Sequence, residues 1–394
     1  MKKLFIIGLA LLLTGTAMFA EDAKVMPMMV GRVYMAPLFS FAPGSFDKDG
    51  SYEKYDDGTV KAFNMGFVFE YGVINWISAA LQWVPGWTAV SDVKPAAPAA
   101  LGVTGDVNTN GFADIFAGFK IQLVGEKAPL KKTSMFRLAV APGVVIPVSG
   151  PDFEHEIDIV NNGDPATIKS MDKHVFAFGG RVYFDYLVNK NFFINMYNET
   201  LFYPVNQDMN RDGPTLAFAR KAIPKGIYQA TYDKVIGMGA GEAAAEAQAT
   251  GAMNAATGAF KKTSGEVNYN YRTTFELEPV FTTPITSGLS FTAGLPLNYR
   301  YIPPFQYYIS DLETPAALTA ANVNLRSLLL DALNEGEKHV LSLNPNITFF
   351  LTSTPMPLEF KFIYSIPVYG ENTPAQHYMM LQIRVYFALP GRPQ

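Results

Sequence analysis

The 394-residue chain contains no cysteine. Disulfides, thiolate metal centres and a lipid-modified N-terminal anchor are therefore excluded, and the absence fits a bacterial exported protein. Histidine is scarce: His155, His174, His339 and His377 are the only four. Beyond the first residues, no stretch reaches the roughly 18 to 20 uninterrupted apolar residues of a membrane helix, which argues against an inner-membrane protein. Charge is sparse as well, at 17% of residues with a formal net charge of −4, a balance that argues against a nucleic-acid partner.

What is abundant is aromatic and apolar: 30 Phe and 20 Tyr in a chain that is 49% hydrophobic. At the N-terminus, Met1, Lys2 and Lys3 precede an apolar run from Leu4 to Leu13 and then mainly small residues from Gly15 to Ala20. This pattern predicts a secretory signal peptide over residues 1–20, cleaved after Ala20 or alternatively after Ala17. Periplasm, outer membrane and medium remain as destinations, and the aromatic, charge-poor composition points to the outer membrane.

Period-two alternation supports that destination. Val267, Tyr269, Tyr271, Thr273, Phe275 and Leu277 alternate with Asn268, Asn270, Arg272, Thr274, Glu276 and Glu278, and residues 289–301 repeat the pattern. Similar runs predict about twelve strands of the length a tilted membrane strand needs. They fall near 28–42, 60–71, 75–87, 111–124, 134–148, 174–187, 191–205, 266–282, 288–302, 339–352, 356–369 and 377–388. Short connections such as Val188 to Lys190 and Ser353 to Pro355 alternate with long ones at 43–59, 88–110, 149–173, 206–265 and 303–338. Short turns on one rim and long loops on the other are the arrangement of an outer-membrane barrel. The predicted fold class is all-β: a transmembrane antiparallel β-barrel over 21–394 with helical segments in its extracellular loops. Its expected surroundings are outer-membrane lipid and, during biogenesis, the barrel-assembly machinery, for which Val385-Tyr386-Phe387 supplies an aromatic insertion signal.

The polar parity predicts the lumen lining: Arg32, Glu70, Asp114, Lys120, Arg137, Arg181, Asp185, Glu199, Arg272, Glu276, Glu278, Arg300, Glu359, Lys361 and Arg384. Eight basic residues face seven acidic ones. Such charges cannot face lipid, and they form either a bracing ladder of salt bridges or the lining of a pore or solute site. On the outer parity, Trp83, Trp87, Tyr299 and Tyr301 suit an interfacial girdle. Prolines at 37, 142, 147, 279, 296, 345 and 367 each remove one ladder donor. Those at 142, 279 and 345 lie on the lipid-facing parity, where interrupted pairing would permit sideways release of apolar cargo and continuous pairing would rule it out.

Two loops carry further signals. Thr314-Pro315 makes an N-cap and first-turn pair, followed at helical spacing by Leu318, Leu325, Leu328, Leu329 and Leu333. This predicts a helix at the mouth whose leucine stripe meets either other loops or a captured ligand. The Ala-rich 237–260 tract reads as a weak helix or a flexible segment. Asp208, Asn210 and Asp212 with Gly213 match the first half of a calcium loop, but Ala219 stands where the twelfth-position carboxylate belongs, so the alternative is a polar surface turn. No other cofactor is expected. Catalysis has no support: barrel phospholipases place a catalytic Ser two residues after a His, and here those positions are Ile157, Phe176, Leu341 and Met379.

At 111–150 the chain shows Gly111-Phe112-Ala113-Asp114-Ile115, Gly118-Phe119-Lys120, and Pro142-Gly143-Val144-Val145-Ile146-Pro147 with Gly150. This resembles the barrel transporters related to the long-chain fatty-acid transporters and to the putative transporters of phenol meta-degradation. The resemblance covers about a tenth of the chain and implies passage of hydrophobic or aromatic small molecules. The chain departs from the fatty-acid transporters in lacking an N-terminal hatch, since only Glu21 to Pro27 precede the first strand, and in having fewer strands. Any plug is then expected from loops such as 206–265. The combined reading is an outer-membrane channel or transporter for small hydrophobic or amphipathic solutes. The alternatives are a surface-exposed structural protein or adhesin with a closed lumen, a general diffusion porin, and a periplasmic β-protein.

Overall fold

Apolar side chains recur at every second position of the wall strands, and in the computed structural model they point outward. The structure describes residues 22–55, 59–90, 107–148, 175–209, 213–261, 263–310, 312–333 and 336–388. The expected signal peptide, much of the long loops at 88–110 and 149–173, and the side chain of Trp87 lie outside them.

The wall consists of β1 (Val30–Ala42), β2 (Val60–Ile74), β3 (Ile77–Val90), β4 (Val107–Val124), β5 (Phe136–Ile146), β6 (Ala177–Leu187), β7 (Phe192–Phe202), β8 (Tyr271–Thr286), β9 (Leu289–Gly294 with Leu297–Ile302), β10 (Lys338–Leu343 with Asn346–Leu351), β11 (Leu358–Glu371) and β12 (His377–Ala388). Each pairs antiparallel with its sequence neighbours, and β1 pairs with both β2 and β12, so the sheet closes without an edge. Each overlaps one expected span, and the eighth departs most, running Tyr271–Thr286 where 266–282 was expected. In β1 the alternation is plain: Val33 and Met35 are 43% and 40% exposed, whereas Arg32, Tyr34, Leu38 and Ser40 are buried inside. Closure satisfies the backbone in lipid, and parity keeps charge off the lipid face.

The predicted strand 266–282 proves to be two elements. Asn270 adopts a left-handed backbone, with φ 58°. Before it, Gly265–Asn268 pairs with Gln306–Ile309 and with Gln207–Asp208 in a separate three-stranded ribbon. Val267 and Tyr269 are thus fully buried above the barrel instead of facing lipid. The long loops build a cap around them with helices α1 (Gly213–Gly237), α2 (Glu242–Phe260), α3 (Ala316–Ala320) and α4 (Leu325–Leu333). Its core joins Met209, Ile223, Phe260, Val267, Tyr269, Ile309, Leu318, Leu325, Leu329 and Leu333.

The predicted single leucine helix is split, because Asn322 also takes a left-handed conformation (φ 58°) and Asn324 starts the second helix by accepting the Ser327 N–H at 3.1 Å. Thr314 caps α4 at Leu325 N–H, 3.1 Å away, instead of α3. Of the 237–260 tract, Glu242–Phe260 forms the ordered helix α2, which packs on α1 and buries Ala245, Ala249 and Ala256.

Prolines interrupt the wall in one band. Pro279 of β8 lies beside the break at Leu295-Pro296 in β9, which lies beside the break at Asn344-Pro345 in β10. Pro367 of β11 sits at a register shift opposite Ser342. Proline carbonyls still accept: Leu295 N–H donates to Pro279 O at 3.2 Å, and Asn344 N–H to Pro296 O at 2.8 Å. Pairing is thinned along this band, so the condition that would have ruled out sideways release is not met.

Candidate functional site in the lumen

Register places the lumen charges opposite one another. Arg32 and Glu70, Arg137 and Asp185, Arg181 and Glu199, and Glu359 and Arg384 are cross-strand partners. Their ion pairs measure 2.5, 3.0, 2.6 and 3.0 Å. Desolvation offsets much of the attraction in such buried pairs, but breaking one leaves a costly unpaired charge, so each fixes its neighbours. Further partners saturate them: Ser78 Oγ donates to Glu70 at 2.8 Å, Tyr197 OH to Glu199 at 3.1 Å, and Tyr386 OH to Glu359. The Arg181 guanidinium lies 4.0 Å above the Phe116 ring and donates to Gln82.

The remaining expected lining residues also face inward. Asn298 donates to Glu276 at 3.0 Å, while Asn195 and Asn346 donate to Glu278 at 3.1 and 2.8 Å. Arg272 and Arg300 lie close enough to Glu199 and to each other to interact electrostatically. Lys361 borders the cavity, Lys120 is buried and Asp114 half-buried. Ion pairs and hydrogen bonds thus link most of the lining, and a cavity of 680 Å³ is left open beside them, bordered by Arg32, Arg137, Glu278, Glu359, Lys361 and Arg384.

Two features escaped the polar parity. Tyr34, Ala36, Leu38, Val68, Ile363 and Met380 form an apolar patch on the inner wall, beside Arg32 and Arg384, whose guanidiniums lie 5.4 and 5.0 Å from the Tyr34 ring. Its signal was available: β1 reads Val-Gly-Arg-Val-Tyr-Met-Ala-Pro-Leu-Phe-Ser-Phe-Ala, apolar on both parities.

The second is a strap, residues 22–29, that leaves β1 at the short-turn rim and runs into the lumen. Gly72 makes room for it, since a Cβ there would sit 2.0 Å from Pro27 O. Ala23 N–H donates to both Asp185 oxygens at 2.9 and 3.1 Å. Lys120 Nζ donates to Asp22 O at 2.5 Å, and Gln122 Nε2 to Ala23 O at 3.2 Å. Burial pushes the Asp22 carboxyl up, but Lys24, Lys120 and Arg137 outweigh it and hold the group well below the usual carboxylate range. The expectation of a plug from 206–265 is corrected: that segment forms the cap, and the strap enters the lumen.

The leucine stripe meets loops. Leu318, Leu325, Leu329 and Leu333 are buried in the cap core and Leu328 is packed against it, so the expected ligand-capture helix presents no open leucine face. For the calcium loop, Asn210 and Asp212 lie outside the described residues. Asp208 lies within electrostatic reach of Arg220; burial lowers the Arg220 guanidinium to about 10, Asp208 acting in the opposite sense.

No family model and no curated protein matches the chain. Among solved structures it is similar to the COG4313 outer membrane channel from Pseudomonas putida F1, with a TM-score of 0.55 and 10% identity over 94% of this chain and 99% of that one. The CymD monoaromatic hydrocarbon channel gives a TM-score of 0.31 at 7% identity, covering 92% of this chain and 89% of that one. A FadL homologue from Pseudomonas aeruginosa gives 0.33 at 8%, covering 91% and 90%. The likeness that bears on the fold is that to the COG4313 channel, at 0.55. Closed wall, apolar exterior, charged interior and this likeness of fold lead to one conclusion: the chain is a twelve-stranded outer-membrane β-barrel.

Proposed function

We propose that the protein passes small apolar or amphipathic solutes across the outer membrane and is not an enzyme. The observation that carries this reading is the inner wall itself, where the Tyr34 to Met380 apolar patch adjoins ion pairs that neutralise one another above a 680 Å³ cavity. Paired charges present little net field to an ion, and the patch, buried in this closed form, lies on the inner wall where a solute's hydrocarbon part would desolvate as the passage opens. The strap is held by hydrogen bonds and ion pairs, an obstruction that can be withdrawn.

The test compares the mature chain with one lacking residues 22–25, in planar bilayers and in liposome swelling. The deletion is expected to raise conductance and to speed entry of a small uncharged aromatic over a charged solute of equal size. A large unobstructed current in the intact chain would favour the diffusion porin. No current and no uptake from either chain would favour a surface-binding role, the second reading, for which the cap with its own hydrophobic core speaks.

A further inference from the structure

Away from the lumen, on the outer face of the long-loop rim, three potential metal ligands converge. His339 of β10 and Glu371 of β11 are cross-strand partners, and Glu337 precedes His339 by two residues. His339 Nε2 stands 3.7 Å from Glu337 Oε1 and 3.8 Å from Glu371 Oε2. All three ligand atoms lie within 4.8 Å of one another. We propose that Glu337, His339 and Glu371 bind a zinc ion.

The spacing of the three groups suits a metal better than a hydrogen bond. Separations of 3.7 and 3.8 Å are too long for an N–H···O hydrogen bond. They lie near the ligand-to-ligand edge of about 3.4 Å that a tetrahedral zinc with bonds of about 2.1 Å requires. Imidazole with two carboxylates is a borderline-soft set that favours zinc over calcium or magnesium, which take oxygen alone. The imidazole is also held: Tyr299 OH lies 2.7 Å from Nδ1, which directs Nε2 at the carboxylates, and the Tyr301 ring centroid is 4.9 Å from the imidazole. Tyr301 OH donates to Glu337 at 3.3 Å, and Tyr369 OH donates to Glu371. Each ligand thus has one phenol behind it, as outer partners orient ligands at metal sites. Three protein ligands leave the fourth position open on the exposed side. The ion would tie β10 to β11 beside the register shift at Leu341/Ser342 and anchor the end of the loop that leads into β10.

The experiment uses the mature, tag-free chain in detergent, stripped with chelator and titrated with zinc chloride by calorimetry, with the thermal transition measured in parallel. The expected result is one equivalent bound, a raised transition temperature and no competition from magnesium. Binding should be lost in His339→Gln and weakened about tenfold in Tyr299→Phe, which removes only the outer partner. Heat-modifiable migration confirms that each variant is folded; were His339→Gln not to fold, Glu371→Gln serves in its place with the same expected loss. No saturable zinc binding by the intact chain, or equal binding by the folded ligand variants, would overturn the proposal.

Discussion

Asp185 shows how much a single lumen residue can hold. It is fully buried, accepts the Ala23 N–H on both oxygens, and pairs with Arg137 at 3.0 Å. Asp185→Asn keeps the shape and removes the charge, leaving Arg137 with Asp22 at 3.9 Å. Loss of a charge-assisted contact of this kind weakens strap docking by on the order of 2 kcal/mol. Single-channel recording is expected to show more frequent open events, and limited proteolysis faster cutting of residues 22–29. Unchanged current and cutting would mean that the strap is held elsewhere. Further along the inner wall, Gly143 is equally constrained, because a Cβ there would come 2.3 Å from the Phe116 ring that underlies Arg181. Gly143→Val is expected to cost about 1–3 kcal/mol by overpacking. Phe116→Leu in the same chain should restore part of the loss, read as the temperature at which heat-modifiable migration disappears.

Elements differ in how far their sequence announces them. The twelve strands were legible because a side chain either meets lipid or does not, and parity records that choice residue by residue. The end of β8 was not legible, since odd positions stay apolar through 267–277 whether they meet lipid, as Phe275 does, or the cap, as Tyr269 does; only the left-handed Asn270 divides them. Helix α1 carries Pro224 and Gly226 in its middle and reads as loop, so its order comes from packing on α2. The strap hides for another reason: its partner Asp185 is 162 residues away, and no local pattern encodes that contact. The leucine stripe was visible, but its target was not. Now that the target is the cap core, Leu329→Ala should open a cavity costing about 2–5 kcal/mol within the cap alone. Hydrogen exchange is expected to quicken in α3, α4 and the ribbon while the wall strands keep their protection; loosening of the wall as well would show that the two fold as one unit.

For the molecule as a whole, the near balance of eight basic and seven acidic lining residues has an electrical consequence. In a salt gradient the open channel is expected to give a reversal potential close to zero, since the four cross-strand ion pairs cancel locally. A strongly shifted potential would place an unbalanced group at the narrowest level. The order of the chain sets one further condition. The strap precedes β1, and the wall closes only when β1 meets β12, the last of its strands. The strap and the closing seam therefore share one strand, since the segment that enters the lumen runs directly into β1. A change that loosens the β1–β12 seam is also a change at the post to which the cork is tied.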